Sequence, residues 1–453
     1  MRKALCCVGA GAIAIAVLFA QEIRLGEITG RAEKGAIAVP DFRGAGDAQK
    51  FMGAFNQVLW ETLNESGAFR MVPKTAYPLN VPQQPQDWRS EQPGTRPSGS
   101  ELGLRLRDWS GPPVNANYMA FGYTAVQNRQ MVLFGHLYNI TQNDLANAQV
   151  LRKLYFGTLD EAGARKVAIE FATDILKQFG IASIANTRIF FVSSRTGSKE
   201  IWSMNWDGSD QRPFTAYRTV TTMPGVSPDG GKIAFTSFLR GRPEIVIHST
   251  EPNRRLLFVN QNASMNATAD FTPDGRSIVF SSTLNGGYAQ LYIADIDGRN
   301  LRRLTSSRSI DVEPKVNPRT GSEIVFVSGR GGPQQIYKMN MDGADVVRLT
   351  AGEGEAANPA WHPNGQLIAF AWTRGFETGN FNIFVMDVAS RQLIQLTHGA
   401  GRNENPSWAP DGRHLVFSSN RVGGSQIFTM LADGTQVKQL TSVGRNEKPV
   451  WAR

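Results

Sequence analysis

The chain has 453 residues, 48 Lys and Arg against 39 Asp and Glu, and two cysteines. The net charge of +9 is spread without long basic runs, which allows attraction to acidic surfaces but does not indicate nucleic acid. Cys6 and Cys7 both lie in the first twenty residues, so disulfides, thiol catalysis and thiolate metal sites are excluded together once that segment is removed.

In chain order, Met1-Arg2-Lys3 and the apolar run to Ala20 read as a secretory signal peptide, residues 1–20, with an uncleaved anchor as the alternative. The expected product is a soluble exported protein. Residues 21–182 read as a small α/β domain. Ala36–Phe42 forms a first strand, and Phe51, Met52, Phe55, Val58, Leu59 and Leu63 recur at helical spacing up to a C-cap at Gly67. A second strand follows at 68–72. Five prolines between Pro78 and Ser100, with little apolar periodicity, predict a mobile loop over 78–100. Strand-like runs at 118–126, 130–140 and 149–156 then lead into an amphipathic helix over Leu159–Phe179, giving a mixed sheet with helices.

From residue 186 to 453 one phrase returns five times: an apolar strand entry, a turn built on Pro228, Pro273, Pro318, Pro363 or Pro410 and closed by glycine, then a hydrophobic strand. The turn prolines step by 45, 45, 45 and 47 residues. That period, with strands on both sides of each turn, is what a four-stranded propeller blade produces. Asp297-Gly298, Asp342-Gly343 and Asp433-Gly434 suit outer hairpin turns, while the proline turns lie nearer the axis. The unit beginning at Thr187 lacks a first strand, and the final unit from Glu447 supplies only a first strand. Joined, they complete a blade. The fold expectation is therefore two-domain, α+β then all-β: a small N-terminal α/β domain followed by a six-bladed β-propeller closed by the C-terminal strand.

Catalytic signatures are sparse. No G-x-S-x-G, H-E-x-x-H or phosphate loop occurs, and the five histidines fall singly in different units. His362 stands in a turn slot filled elsewhere by Ser, Thr, Asn or Ala, which reads as structural. Trp361, Trp408 and Trp451 share one repeat position with Val226, Phe271 and Val316, the mark of packing between blades. The residues before the first strands differ in kind. Glu313, Glu404 and Glu447, with Asn358, Asn403 and Asn446, fall where polar groups converge on a propeller's central channel. A partial acidic ring for a cationic or hydrogen-bonding partner, a cation site and ordinary solvated strand starts all remain open for them. No cofactor and no metal ligand set is assigned.

Leader, small α/β domain and SPDG/LVFSS-type repeats closed by a terminal PVWAR together resemble the TolB family of the Tol-Pal system over nearly the whole chain after residue 20. The resemblance implies a periplasmic, monomeric binding scaffold without catalysis, serving outer-membrane integrity and constriction during cell division. Its propeller channel face would receive the peptidoglycan-associated lipoprotein Pal, and its N-terminal segment TolA, with other outer-membrane lipoproteins or porins as further partners. The Pal-facing positions fall on Met265, Thr268, Val312 and Glu313; Glu313 matches the family's acidic residue, whereas Met265 and Val312 depart from its polar choices. The TolA segment corresponds to residues 22–30, beginning Glu22, Ile23, Arg24 and Leu25. The competing expectation is an exported propeller enzyme or sensor that binds a peptide, glycan or lactone in the funnel.

Overall fold

The structure is a computed structural model that describes residues 34–90, 101–374 and 380–452. The leader and the segment Glu22, Ile23, Arg24 and Leu25 lie outside the described residues. The chain divides into two compact units, Ala32–Ala185 and Asn186–Arg453.

The first unit is a mixed sheet with helices on one face. Its strands are β1 (Ala36–Ala38), β2 (Arg43–Gly44), β3 (Arg70–Met71), β4 (Tyr118–Gln127), β5 (Gln130–Asn139) and β6 (Gln149–Thr158), in the order β3-β1-β4-β5-β6 with β2 beside β4. β1 runs parallel to β3 and β4, and the β4-β5-β6 meander is antiparallel. Asn128 and Arg129, both at positive φ, make the two-residue β4-β5 turn, whose twist matches the flanking strands. Helix α1 (Met52–Glu65) turns Met52, Phe55, Val58, Leu59, Thr62 and Leu63 inward. It ends just before Gly67, whose φ of 60° suits glycine. Helix α2 (Glu161–Gln178) starts at an Asp160 N-cap whose side chain accepts from the Gly163 N–H at 2.7 Å. It buries Val167, Phe171, Ile175 and Leu176 against α1 and the sheet. Each such side chain contributes roughly 1.5–3 kcal/mol on burial.

The other sheet face is covered by the segment between β3 and β4. Val72, Trp88, Leu106, Trp109 and Val114 pack on Met119, Phe121 and Tyr138. Residues 78–90 run as an irregular segment with one short helical turn. Pro85–Asp87 form a short 3-10 helix closed by a Gln84/Asp87 capping box, and Trp88 is buried against Phe121 and Tyr138. One large aromatic can anchor a stretch whose polar composition conceals it. Residues 91–100 lie outside the described ones.

The second unit is a propeller of six four-stranded antiparallel sheets. Asn446–Ala452 pairs with Arg188–Ser193 and so completes the sixth sheet, as the split repeat predicts. Each proline turn is locked locally. Ser227 Oγ accepts from the Lys232 N–H at 2.8 Å and donates to Asp229, which accepts from the Gly231 N–H at 2.9 Å. Thr272 and Asp274 repeat the arrangement one blade on. A phenylalanine in the second strand of every blade, Phe191, Phe235, Phe280, Phe326, Phe370 and Phe417, is fully buried. These side chains make a core that repeats around the ring.

Candidate functional site

The inner strand of each blade carries a bulge at the same place. Pairing skips between Thr222 and Gly225, Ala267 and Asp270, Val312 and Lys315, Ala357 and Ala360, Glu404 and Ser407, and Glu447 and Val450. In five blades a proline occupies the bulge, where its missing N–H removes no ladder bond: Pro224, Pro314, Pro359, Pro406 and Pro449. The residue before it is held at positive φ, from 51° to 54°, in all six: Met223, Thr268, Glu313, Asn358, Asn405 and Lys448. Non-glycine residues in that region cost of order 1–3 kcal/mol each, so six equivalent ones mark a feature the fold sustains.

These six residues line a central cavity of about 310 Å³. Below them the wall continues through Asp270, Lys315, Trp361, Trp408 and Trp451 to the proline turns. Four blades are joined by hydrogen bonds along the rim. The Asn358 N–H donates to Glu313 Oε2 at 2.9 Å, its amide nitrogen donates to the same carboxylate at 3.1 and 3.2 Å, the Asn405 N–H donates to Asn358 Oδ1 at 3.2 Å, and Lys448 Nζ reaches Asn405 Oδ1 at 3.4 Å. Glu313 and Lys448 stand three blades apart in a ring of six. The rim is therefore polarised across its diameter, acidic on one side and basic on the other. Deeper in, Lys315 pairs with Asp270 at 3.0 Å, and Asp270 also accepts from the Val316 N–H at 2.9 Å.

Of the sequence-assigned positions, Thr268, Glu313 and Asn358 line this cavity. The rest are placed differently. Glu404 and Glu447 precede the bulge residue by one, so they align with Val312 and not with Glu313. Glu404 pairs with Arg402 at 2.6 Å, and Glu447 pairs with Lys199 and Arg445. The three carboxylates therefore form no ring. Asn403 and Asn446 are fully buried acceptors for Arg421 and Arg195. Met265 precedes the inner strand Asn266–Phe271 and bonds Thr283 Oγ1 through its N–H, and Val312 packs between blades. The ring expectation aligned the copies on glutamate, whereas the bulge proline sets their register. Counting back one residue from that proline finds Met223, Asn405 and Lys448, which the sequence reading missed.

The packing residues stand as expected. Trp361 Nε1 donates to the Lys315 carbonyl of the preceding blade at 2.9 Å, and Trp451 Nε1 to Thr187 Oγ1 at 2.8 Å. His362 Nδ1 accepts from the Asn364 N–H at 3.0 Å, leaving Nε2–H to donate to the Gly412 carbonyl at 2.8 Å. Burial holds its pKa below the ordinary histidine value, so it is a neutral structural link. Among the described residues no group of three or more His, Cys, Asp or Glu is arranged to hold a metal, and no helix is long and apolar enough to cross a membrane.

The sequence profile of the TolB beta propeller domain matches residues 177–376 and 352–453. A TolB homolog of Chlorobaculum tepidum is 33% identical over 135 residues, 30% of this chain and 30% of that protein. The Tol-Pal system protein TolB of Roseobacter denitrificans is 29% identical over 236 residues, 51% of this chain and 48% of its own length. Alignment with the first curated relatives thus spans about three tenths of their length. The crystal structure of TolB from Acinetobacter baumannii superposes with a TM-score of 0.73 at 21% identity, covering 93% of this chain and 97% of that one, a likeness of fold. With its profile matched across the whole propeller, the chain belongs to the TolB β-propeller family.

Proposed function

We propose that this chain is a periplasmic component of a Tol-Pal system, a scaffold that binds the peptidoglycan-associated lipoprotein on its propeller channel face and TolA through residues 22–30. The observation that carries the reading is the rim of six strained bulge residues around an open cavity, polarised from Glu313 to Lys448. The names of the relatives in Desulfosudis oleivorans and Roseobacter denitrificans, Tol-Pal system protein TolB, support it.

Recognition suits this rim better than turnover. Its carboxylates are committed to neighbours, Asp270 to Lys315 and the Val316 N–H, and Glu313 to Asn358. Such groups present a fixed pattern of charge and hydrogen bonds to a partner. Of the nine channel-rim positions singled out in the sequence, Thr268, Glu313 and Asn358 are kept as contacts, joined by Met223, Asn405 and Lys448. Met265, Val312 and Glu404 would contribute only from the rim's periphery, and Asn403, Asn446 and Glu447 by supporting it. The TolA assignment to Glu22, Ile23, Arg24 and Leu25 rests on family resemblance. The test is capture from detergent-solubilised envelope by the chain from Gln21 onward. An OmpA-like lipoprotein as dominant partner supports the proposal, whereas its absence beside another partner overturns it.

A further inference from the structure

The sheet of the first unit ends in an open edge. β6 bonds to β5 and to no other described strand, so over ten residues the backbone groups facing away from β5 have no strand to pair with. Edges of this length are normally blunted by proline, bulges or several charges. β6 has no proline; its one bulge falls at Val150, which the pairing skips between Gln149 and Leu151, and from Leu151 to Thr158 the edge is regular.

Three of its exposed side chains are large and apolar. Val150, Leu154 and Phe156 are 37%, 47% and 47% exposed. Leu154 and Phe156 alternate along the sheet face opposite the helices, where Leu154 lies beside Phe134 and Phe134 stacks on Tyr123 at 4.6 Å. Of the two cations on the strand, Lys153 points to the helix side and is held by Asp174 at 2.6 Å. Arg152 shares the face of Leu154 and Phe156, is exposed, and has no ion-pair partner among the described residues. Its cross-strand neighbour is His136, which is buried. A carboxylate is what this stretch lacks.

We propose that β6 is a docking edge that takes an extended peptide of a partner protein as a further strand, one that alternates apolar side chains with an acidic residue opposite Arg152. Main-chain bonds to the edge would supply affinity, and Leu154, Phe156 and Arg152 would select the sequence. Charge decides against a second copy of this chain as occupant. Residues 149–158 contain no Asp or Glu, so self-pairing would bring two more cations to the seam and no anion.

The experiment pans a display library of ten-residue peptides on the chain from Gln21 onward and synthesises the enriched sequences. Expected are peptides alternating apolar residues with Asp or Glu, whose binding slows hydrogen exchange across 149–158. Arg152→Glu should weaken them ten-fold or more, and replacing the peptide's acid by Lys should restore binding to that variant. Leu154→Lys, on an exposed side chain, should also abolish capture while circular dichroism stays unchanged. Failure to enrich any peptide, protection confined to the propeller, or indifference to Arg152→Glu overturns the proposal. So does a doubling of molar mass in light scattering that Leu154→Lys removes, since the occupant would then be a second copy.

Discussion

Asp311 opens the inner strand of its blade with a fully buried carboxylate. Arg330 Nη2 donates to both of its oxygens at 3.0 and 2.9 Å, and Ser307 Oγ donates to Oδ2 at 2.9 Å. The guanidinium lies over Phe326 and Tyr337 and is tied to Ser328 Oγ at 2.9 Å. Two other blades build the same staple with a neutral amide: Arg421 to Asn403 Oδ1 at 2.9 Å, and Arg195 to Asn446 Oδ1 at 3.1 Å. Removing one partner of a fully buried pair costs about 3–5 kcal/mol. With the Arg330 side chain 26% exposed, water recovers part of that cost, and Asp311→Ala should lose about 2–3 kcal/mol. Asp311→Asn retains an acceptor already proven in two blades and should lose about 1 kcal/mol or less. At roughly 2–4 °C per kcal/mol for a unit near this size, the alanine variant should melt about 4–12 °C lower and the asparagine variant about 4 °C lower at most. Thermal unfolding followed by near-ultraviolet circular dichroism reads both. Equal losses for the two variants would refute the argument, because the staple would then require the charge itself.

His136 and two glycines supply further tests. Burial, with Arg152 nearby, pushes the His136 pKa down to about 4. The unfolded chain therefore binds a proton that the folded chain refuses between about pH 6.5 and 4, and the first unit should lose stability as pH falls through that window, by up to roughly 3 kcal/mol. His136→Leu should remove this slope, so its urea midpoint should change less than wild type between pH 7 and pH 5. Gly298 sits at φ +87°, and a Cβ there would lie 2.3 Å from the Val259 carbonyl, whereas Gly286 at φ +72° faces open space. Gly298→Ala should cost about 2 kcal/mol or more and Gly286→Ala about 1 kcal/mol in denaturant titration. Equal costs would mean that the neighbouring loop yields without resistance.

The propeller is legible because its period is written in local turn chemistry, the Pro-Asp-Gly turns and Asp297-Gly298, and its closure in the complementary incomplete units at Thr187 and Trp451, 264 residues apart. The first unit's helices were legible from spacing, Met52 to Leu63 and Val167 to Leu176. Trp88 was not, because its burial depends on Phe121 and Tyr138 across the sheet, and nothing in the surrounding Pro, Gln and Asp residues carries that information. The site was legible in place but not in register. Glu313 was found, but Glu404 and Glu447 drew attention by residue type, although a bulge one residue later turns Asn405 and Lys448 into the cavity instead. A bulge shifts every side chain after it, and the proline that marks it was present in the sequence.

The most direct test of the central claim is calorimetric titration of the purified lipoprotein domain from the same organism into the chain from Gln21 onward, alongside Glu313→Lys and Lys448→Glu. The account predicts saturable one-to-one binding, weakened at least ten-fold by either substitution, with both variants keeping the wild-type near-ultraviolet circular dichroism. Binding that ignores both charges, or no binding to the folded wild-type chain, would contradict it.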